Sequence, residues 1–258
     1  NVFSKKEVGQ IARLQEKLTD ADTHDGALGI GHTRWATHGG VTADNAHPHT
    51  DCAKRIWVVH NGIIENYREL KQELQRLGHV FRSETDTEAL PHLIEEIEKQ
   101  YPGEDFAGCV RRALLRVKGT YGIAALHASH PDMLIAARNF SPLLLGIGDG
   151  EYFIASDASA ILAYTDRVIY LDDGELAILT PDAREIVNLE NIRREKDTHT
   201  IEWSAQEAEK KDYPHFMLKE IFEEPLAIEN SIRGRIIIDT GYAKLGGLAE
   251  HHEIVRDT

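Results

Sequence analysis

Two spacings of apolar residues divide the chain. Across its first half they return every three or four positions, as in Ile64, Tyr67, Leu70, Leu74 and Leu77, then Leu93, Ile94 and Ile97, then Val110, Ala113, Leu114 and Val117. That is the period of a helix burying one face, so it predicts three helices, the first ending at Gly78 and the third running from Phe106 to Val117 with Gly119 as its stop. Thr85 and Glu88 have the spacing of a capping box at the start of the second, which places Asp86 in its first turn. Pro91 is tolerated only near a helix start, which moves that start toward Thr87. A shorter amphipathic helix is predicted within residues 2–18 from Val8, Ile11, Ala12, Leu14 and Leu18.

Beyond Gly119 the spacing changes to short apolar runs broken by Pro-Asp, Gly-Asp-Gly and Asp-Asp-Gly turns. The runs are Tyr121 to His127, Met133 to Arg138, Leu143 to Ile147, Tyr152 to Ala155, Val168 to Leu171 and Glu175 to Leu179, a pattern of antiparallel strands. One short helix, Ala158 to Tyr164, is capped by Ser156 or Asp157. Upstream, Ile56 to Val59 predicts a buried strand that stops at His60-Asn61-Gly62, a turn into the first long helix. Short strands are expected at Ala27 to Ile30 and Val80-Phe81. Helices before and between strands make an α+β fold, an antiparallel sheet covered by helices. From Thr198 the strand pattern fades; Phe216, Ile221, Ile228 and Ile232 form one face of a helix interrupted at Pro225. Residues 226–258 hold too few apolar residues for a core and read as a shortened linker after a domain of residues 1–225.

Composition narrows the function. A net charge of −14 with no basic stripe argues against nucleic acid as a partner. No apolar run is long enough to span a bilayer, and the start has no signal-peptide pattern, so a cytoplasmic protein without a membrane partner is expected. Two cysteines, Cys52 and Cys109, form no disulfide framework. Fourteen histidines raise the question of a metal, but none shows the His-x-x-x-His helical spacing with an acid that zinc hydrolases use, and no metal site is expected.

The densest chemistry lies in Gly31-His32-Thr33-Arg34-Trp35-Ala36-Thr37-His38-Gly39-Gly40. A guanidinium holds a carboxylate bidentately, an indole can cover a small ligand, and two glycines let a segment swing, which suits a lid over a small acid. A solvated loop with a structural arginine fits the same ten residues. Asn61 and Gly62 would leave a side-chain amide and a backbone N–H at the mouth of a sheet, where donors can face a ligand; a plain turn is the other reading. Asp86 is either a ligand for a cation or an acid favoured by the helix dipole.

Taken together and in order, His32-Thr33-Arg34-Trp35-Ala36-Thr37-His38-Gly39, Asn45-Ala46-His47-Pro48-His49, His60-Asn61-Gly62-Ile63-Ile64-Glu65-Asn66 and Ser83-Glu84-Thr85-Asp86-Thr87-Glu88 resemble one family. It is the class II, N-terminal-nucleophile glutamine amidotransferase domain of the isomerising glutamine:fructose-6-phosphate aminotransferases. Met217-Leu218-Lys219-Glu220-Ile221 with Glu224-Pro225 resembles the segment leading out of that domain toward sugar isomerase domains. The resemblance implies a four-layer αββα sandwich of two antiparallel sheets between helices. It also implies hydrolysis of L-glutamine by an N-terminal cysteine whose own α-amine is the base, with ammonia passed to fructose 6-phosphate to give glucosamine 6-phosphate, no cofactor, and a homo-oligomeric full-length enzyme. By the same resemblance Arg34 binds the α-carboxylate and Asp86 the ammonium of glutamine. Trp35, Thr37 and His38 belong to the closing loop, Asn61 and Gly62 form the oxyanion hole, and His47 and His49 face the sugar-phosphate half. One departure is that the family begins Cys-Gly-Ile and this chain begins Asn1-Val2-Phe3, so a start upstream of Asn1 is expected and the chain as it stands should not hydrolyse glutamine. An amidotransferase with another acceptor, or a non-catalytic glutamine-binding module, are the alternatives.

Overall fold

The computed structural model describes residues 2–19, 26–201, 213–232, 236–237 and 242–243. The chain divides into two units, Asn1–Glu202 and Trp203–Thr258.

In the first unit a six-stranded antiparallel sheet is built from β1 (His49–Thr50), β2 (Ile56–Ile64), β3 (Gly119–His127), β4 (His130–Asn139), β8 (Glu175–Thr180) and β9 (Ala183–Asn188), in the order β1-β2-β3-β4-β8-β9. A second sheet has the order β10-β7-β5-β6, from β10 (His199–Thr200), β7 (Arg167–Tyr170), β5 (Leu144–Ile147) and β6 (Tyr152–Ala155). Alternation along the strands sorts the core into layers. Ile56, Val58, Ile64, Tyr121, Ile123, Ala125, Ile135 and Leu176 point one way, into a cluster shared with α2 (Tyr67–Arg76), α3 (Ala89–Gln100) and α4 (Phe106–Leu114). Val59, Ala124, Leu134, Ala136 and Ala177 point the other way and meet Leu145, Ile147 and Ile169 of the second sheet with Leu143 and Leu171 beside its strands. The outer face of that sheet, Leu144, Ala155 and Val168, packs with Ile201 on Ala158 and Ile161. Among the described residues this layer is thin: in place of a helix from Ala158 to Tyr164 there is one 3-10 turn, Ala158–Ala160, with Asp157 accepting from the Ser159 N–H at 2.7 Å.

Several boundaries differ from expectation for identifiable reasons. β2 does not turn at Asn61-Gly62; it runs on to Ile64, pairing Asn61 with Gly122 and Gly62 with Tyr121. Gly62 makes this possible with φ +141°, since a Cβ there would stand 2.2 Å from the Thr120 carbonyl oxygen. The capping box does not form: Glu88 reaches back to the Arg82 and Ser83 N–H groups, each at 2.7 Å, and the chain enters α3 through Ala89 N–H to Asp86 O and Leu90 N–H to Thr87 O. Pro91 is therefore the third residue of α3 and gives up no helical bond. Residues 27–30 and 80–81 are not strands; Leu28, Ile30 and Phe81 contribute side chains to the core instead. The N-terminal helix, α1 (Ile11–Lys17), buries no residue.

In the second unit α5 (Phe216–Ile232) runs through Pro225 rather than ending there. β11 (Ile236–Ile237) and β12 (Tyr242–Ala243) form an antiparallel hairpin. No helix among the described residues is long and apolar enough to cross a membrane.

Candidate active site

One cavity of about 500 Å³ opens beside the middle of β2, and the expected residues collect on its wall: Arg34, Trp35, Thr37, His38, His47, Asn61, Gly62 and Asp86. The strand supplies Asn61 and Gly62, the loop of residues 31–40 supplies the arginine side, and the turn into α3 supplies Asp86. His49 is the exception. It is buried behind His47, ring centroids 4.8 Å apart, with Nε2 3.1 Å from Thr85 Oγ1.

Asp86 is buried, and its two oxygens have separate surroundings. Oδ2 accepts the Ile64 N–H at 2.8 Å, which ties the turn to the end of β2, while Oδ1 lies 3.8 Å from His38 Nδ1. His38 also stands edge-on to the Tyr67 ring at 5.1 Å. Arg34 is not free to swing: its guanidinium donates to the carbonyls of His38, Gly39 and Gly40, the last at 2.7 Å. Glu84 completes the knot by accepting from Gly40 N at 3.2 Å and Asn45 Nδ2 at 3.0 Å. The glycine pair is accordingly a tight turn rather than a loose hinge, with Gly39 at φ +74° and no room for a Cβ against Asn45 Nδ2. Trp35 sits at the rim, 88% exposed.

Behind these residues lies a layer that the sequence did not single out for this site. His60 is buried on β2 with Nε2 3.2 Å from the Thr120 carbonyl and Nδ1 3.0 Å from Thr87 Oγ1. A carbonyl only accepts, so the proton is on Nε2 and Nδ1 accepts from the Thr87 hydroxyl. The His60 N–H in turn donates to His47 Nδ1 at 3.2 Å. Burial lowers the pKa of His60, His47 and His32, and that of His49 to about 4, so the cluster is neutral at neutral pH. The cavity thus holds one anchored cation, one half-satisfied carboxylate and amide donors, beside the neutral imidazoles of His32, His47 and His60. Neither cysteine is on its wall.

Known proteins resemble this chain in sequence. The profile of the glutamine amidotransferase domain family matches residues 32–163, about half the chain. The chain belongs to that family. Two similar relatives are both named glutamine–fructose-6-phosphate aminotransferase [isomerizing]. The one from Methanothermobacter thermautotrophicus is 53% identical over 228 residues, 88% of this chain and 38% of the relative. The one from Thermococcus kodakarensis is 52% identical over 231 residues, 89% of this chain and 38% of the relative. This amidotransferase chain therefore spans about two fifths of the length of the curated relatives it matches. Among solved structures, glutamine phosphoribosylpyrophosphate amidotransferase from B. subtilis aligns with a TM-score of 0.51 at 24% identity, over 61% of this chain and 34% of that one. That likeness concerns fold: two antiparallel sheets with helices, the N-terminal-nucleophile architecture expected from the sequence motifs.

Proposed function

We propose that this amidotransferase domain is the glutaminase half of an isomerising glutamine:fructose-6-phosphate aminotransferase, hydrolysing L-glutamine and supplying ammonia to fructose 6-phosphate. The observation that carries the reading is the shared cavity of Arg34, Asp86, Asn61 and Gly62. A cation, a carboxylate and amide donors on one wall are the groups needed to hold the two ends of an amino acid and to face its side-chain amide. Arg34 binds the α-carboxylate and Asp86 Oδ1 the α-ammonium, while Trp35, Thr37 and His38 cover the bound amino acid. A cysteine thiol attacks the side-chain amide carbon as its own α-amine takes the thiol proton. The oxyanion receives hydrogen bonds from the Asn61 amide and Gly62 N–H, each such donor contributing about 3 to 4 kcal/mol to barrier lowering. Ammonia leaves with the proton, and water cleaves the thioester to glutamate.

The nucleophile is not Cys52 or Cys109: Cys52 lies on the β1–β2 turn and Cys109 is buried in α4, its thiol pushed up to about 11 by burial. The reading assigns it to an N-terminal cysteine upstream of Asn1, and assigns residues 226–258 to the passage toward sugar isomerase domains. His47 and His49 lie on the side that reports acceptor binding, and the full-length enzyme is a cytoplasmic homo-oligomer. The names of relatives about half identical favour fructose 6-phosphate over another acceptor.

The test is glutamate release by two polypeptides. The chain beginning at Asn1 should release none; the longer polypeptide with an N-terminal cysteine should turn over, make glucosamine 6-phosphate from fructose 6-phosphate, and lose roughly 10²- to 10³-fold in kcat on Asn61→Ala. Turnover by the chain beginning at Asn1 would sink the mechanism.

A further inference from the structure

At the opposite end of the turn into α3, four side chains from three separate segments converge: Cys52 from the β1–β2 turn, His79 from the α2–α3 connection, and His92 and Glu95 from α3 itself. Their donor atoms all lie within 4.8 Å of one another. Cys52 Sγ is 3.7 Å from His79 Nδ1 and 3.6 Å from His92 Nδ1. Glu95 Oε2 is 3.2 Å from His79 Nδ1 and 3.7 Å from His92 Nδ1. We propose that Cys52, His79, His92 and Glu95 bind a structural zinc ion.

Four of the six donor–donor distances are close to those a tetrahedral ion requires, and all six lie within 4.8 Å. With zinc–sulfur near 2.3 Å and zinc–nitrogen or zinc–oxygen near 2.0–2.1 Å, the sulfur–nitrogen edge is about 3.6 Å and the nitrogen–oxygen edge about 3.3 Å. The sulfur edges agree closely, and the two oxygen edges bracket their value. The charges agree too, since a thiolate and a carboxylate balance a divalent cation while both imidazoles stay neutral. Thiolate and imidazole together favour zinc over the hard cations that prefer oxygen. Protein supplies all four ligands, the closed set of a structural rather than a catalytic site.

The surroundings point the same way. His79 turns its other nitrogen, Nε2, to Glu96 Oε2 at 3.2 Å, and His92 turns its own to Glu88 Oε1 at 3.7 Å. Carboxylates behind the far nitrogen of metal-bound histidines fix their tautomer and orientation. The Val80 N–H donates to Cys52 Sγ at 3.4 Å, a contact suited to a thiolate; Lys99 at 2.9 Å occupies Glu95 Oε1, while Oε2 accepts the Cys52 N–H at 3.1 Å and keeps a lone pair toward the ion. Cys52 is exposed and gives the ion access from solvent.

Such an ion would staple segments far apart in sequence and support the cavity indirectly. Glu88, which faces His92, also accepts from the Ser83 hydroxyl at 2.6 Å, and Ser83 Oγ lies 3.0 Å from Thr85 Oγ1 on the cavity wall. Zinc would therefore hold the turn that carries Asp86. The inference does not depend on the glutaminase reading, because it concerns metal binding alone.

The test uses the full chain, stripped with a chelator and titrated with cobalt(II) as a coloured probe. One equivalent should give d–d bands of tetrahedral intensity and a sulfur-to-cobalt charge-transfer band, both erased by one equivalent of zinc. Cys52→Ser should lose the charge-transfer band, Cys109→Ala should keep it, and Glu96→Gln should weaken zinc binding roughly 10-fold or more in a chelator competition. Absence of the charge-transfer band in the unsubstituted chain, or its persistence in Cys52→Ser, would overturn the proposal.

Discussion

Replacing Gly62 by alanine tests the close approach of β2 to β3, on which the shape of the cavity rests. The added Cβ would lie 2.2 Å from the Thr120 carbonyl oxygen, 2.7 Å from its carbon and 2.9 Å from His60 Nε2. An ordinary carbon–oxygen contact is about 3.3 Å or more, so the Thr120 peptide must retreat by roughly 1 Å. Retreat strains the Gly62–Tyr121 pairing or the His60–Thr120 bond, and neither neighbour is a flexible chain end that yields cheaply. Overpacking of this kind costs about 1–3 kcal/mol. Holding a non-glycine residue at φ +141° costs about 1–3 kcal/mol more. The sum, about 2–6 kcal/mol, corresponds to a melting point lower by roughly 5–20 °C for a domain of this size. Gly150 is the control: its φ is +74° but a Cβ there meets nothing within 4 Å, so Gly150→Ala carries only the backbone part. Thermal melts followed by circular dichroism compare the two. If Gly62→Ala melts no lower than Gly150→Ala, the close approach of the Thr120 peptide is wrong, and with it the position of Gly62 on the cavity wall.

Acidification should weaken the fold before the carboxylates titrate. Burial lowers the pKa of His49 to about 4 and lowers that of His60, while an unfolded histidine titrates near 6.5. Below about pH 6.5 the unfolded chain therefore binds more protons, and stability falls with pH by up to about 1.4 kcal/mol per unit for each such histidine. Urea midpoints between pH 7.5 and 5, taken with a chelator present, should decline, and His49→Gln should flatten the decline; a flat profile for the unsubstituted chain would contradict the buried neutral cluster. Asp51→Ala should cost about 2–4 kcal/mol, because the buried Oδ1 holds the Arg55 and Ile56 N–H groups at 2.6 and 2.9 Å at the start of β2. Denaturant unfolding measures it, and a loss below 1 kcal/mol would refute that role. If Arg34 binds the α-carboxylate as proposed, Arg34→Lys should weaken glutamine binding about 10-fold or more in calorimetry, since an ammonium cannot replace a fork that already donates to three carbonyls. Unchanged affinity would remove Arg34 from the site.

What the sequence disclosed follows how local each cause is. α2, α3 and α4 were legible because each buries a stripe that repeats along one segment, and the strands from β3 to β8 because turn residues bracket them. β9 was not: its first residues, Ala183, Arg184 and Glu185, are exposed at the sheet's edge, so no apolar run marks it. The continuation of β2 through Asn61-Gly62 was hidden for another reason. Asn-Gly favours a turn by local preference, and only the partner strand, passing so close that a side chain cannot fit, makes glycine the residue of an extended ladder. The cavity divides along the same line. Arg34, Asn61, Gly62 and Asp86 stand in contiguous motifs and could be read, whereas Thr120 reaches the site by cross-strand register, with nothing beside it in sequence to mark it. The zinc ligands are the extreme case: His92 and Glu95 share a helix face, but Cys52 and His79 come from two other segments, so a search for helical metal spacing passes over them. A close physical tetrad of donors needs no sequence motif. It needs only that the β1–β2 turn, the α2–α3 connection and α3 meet, and that meeting is a property of the packed core.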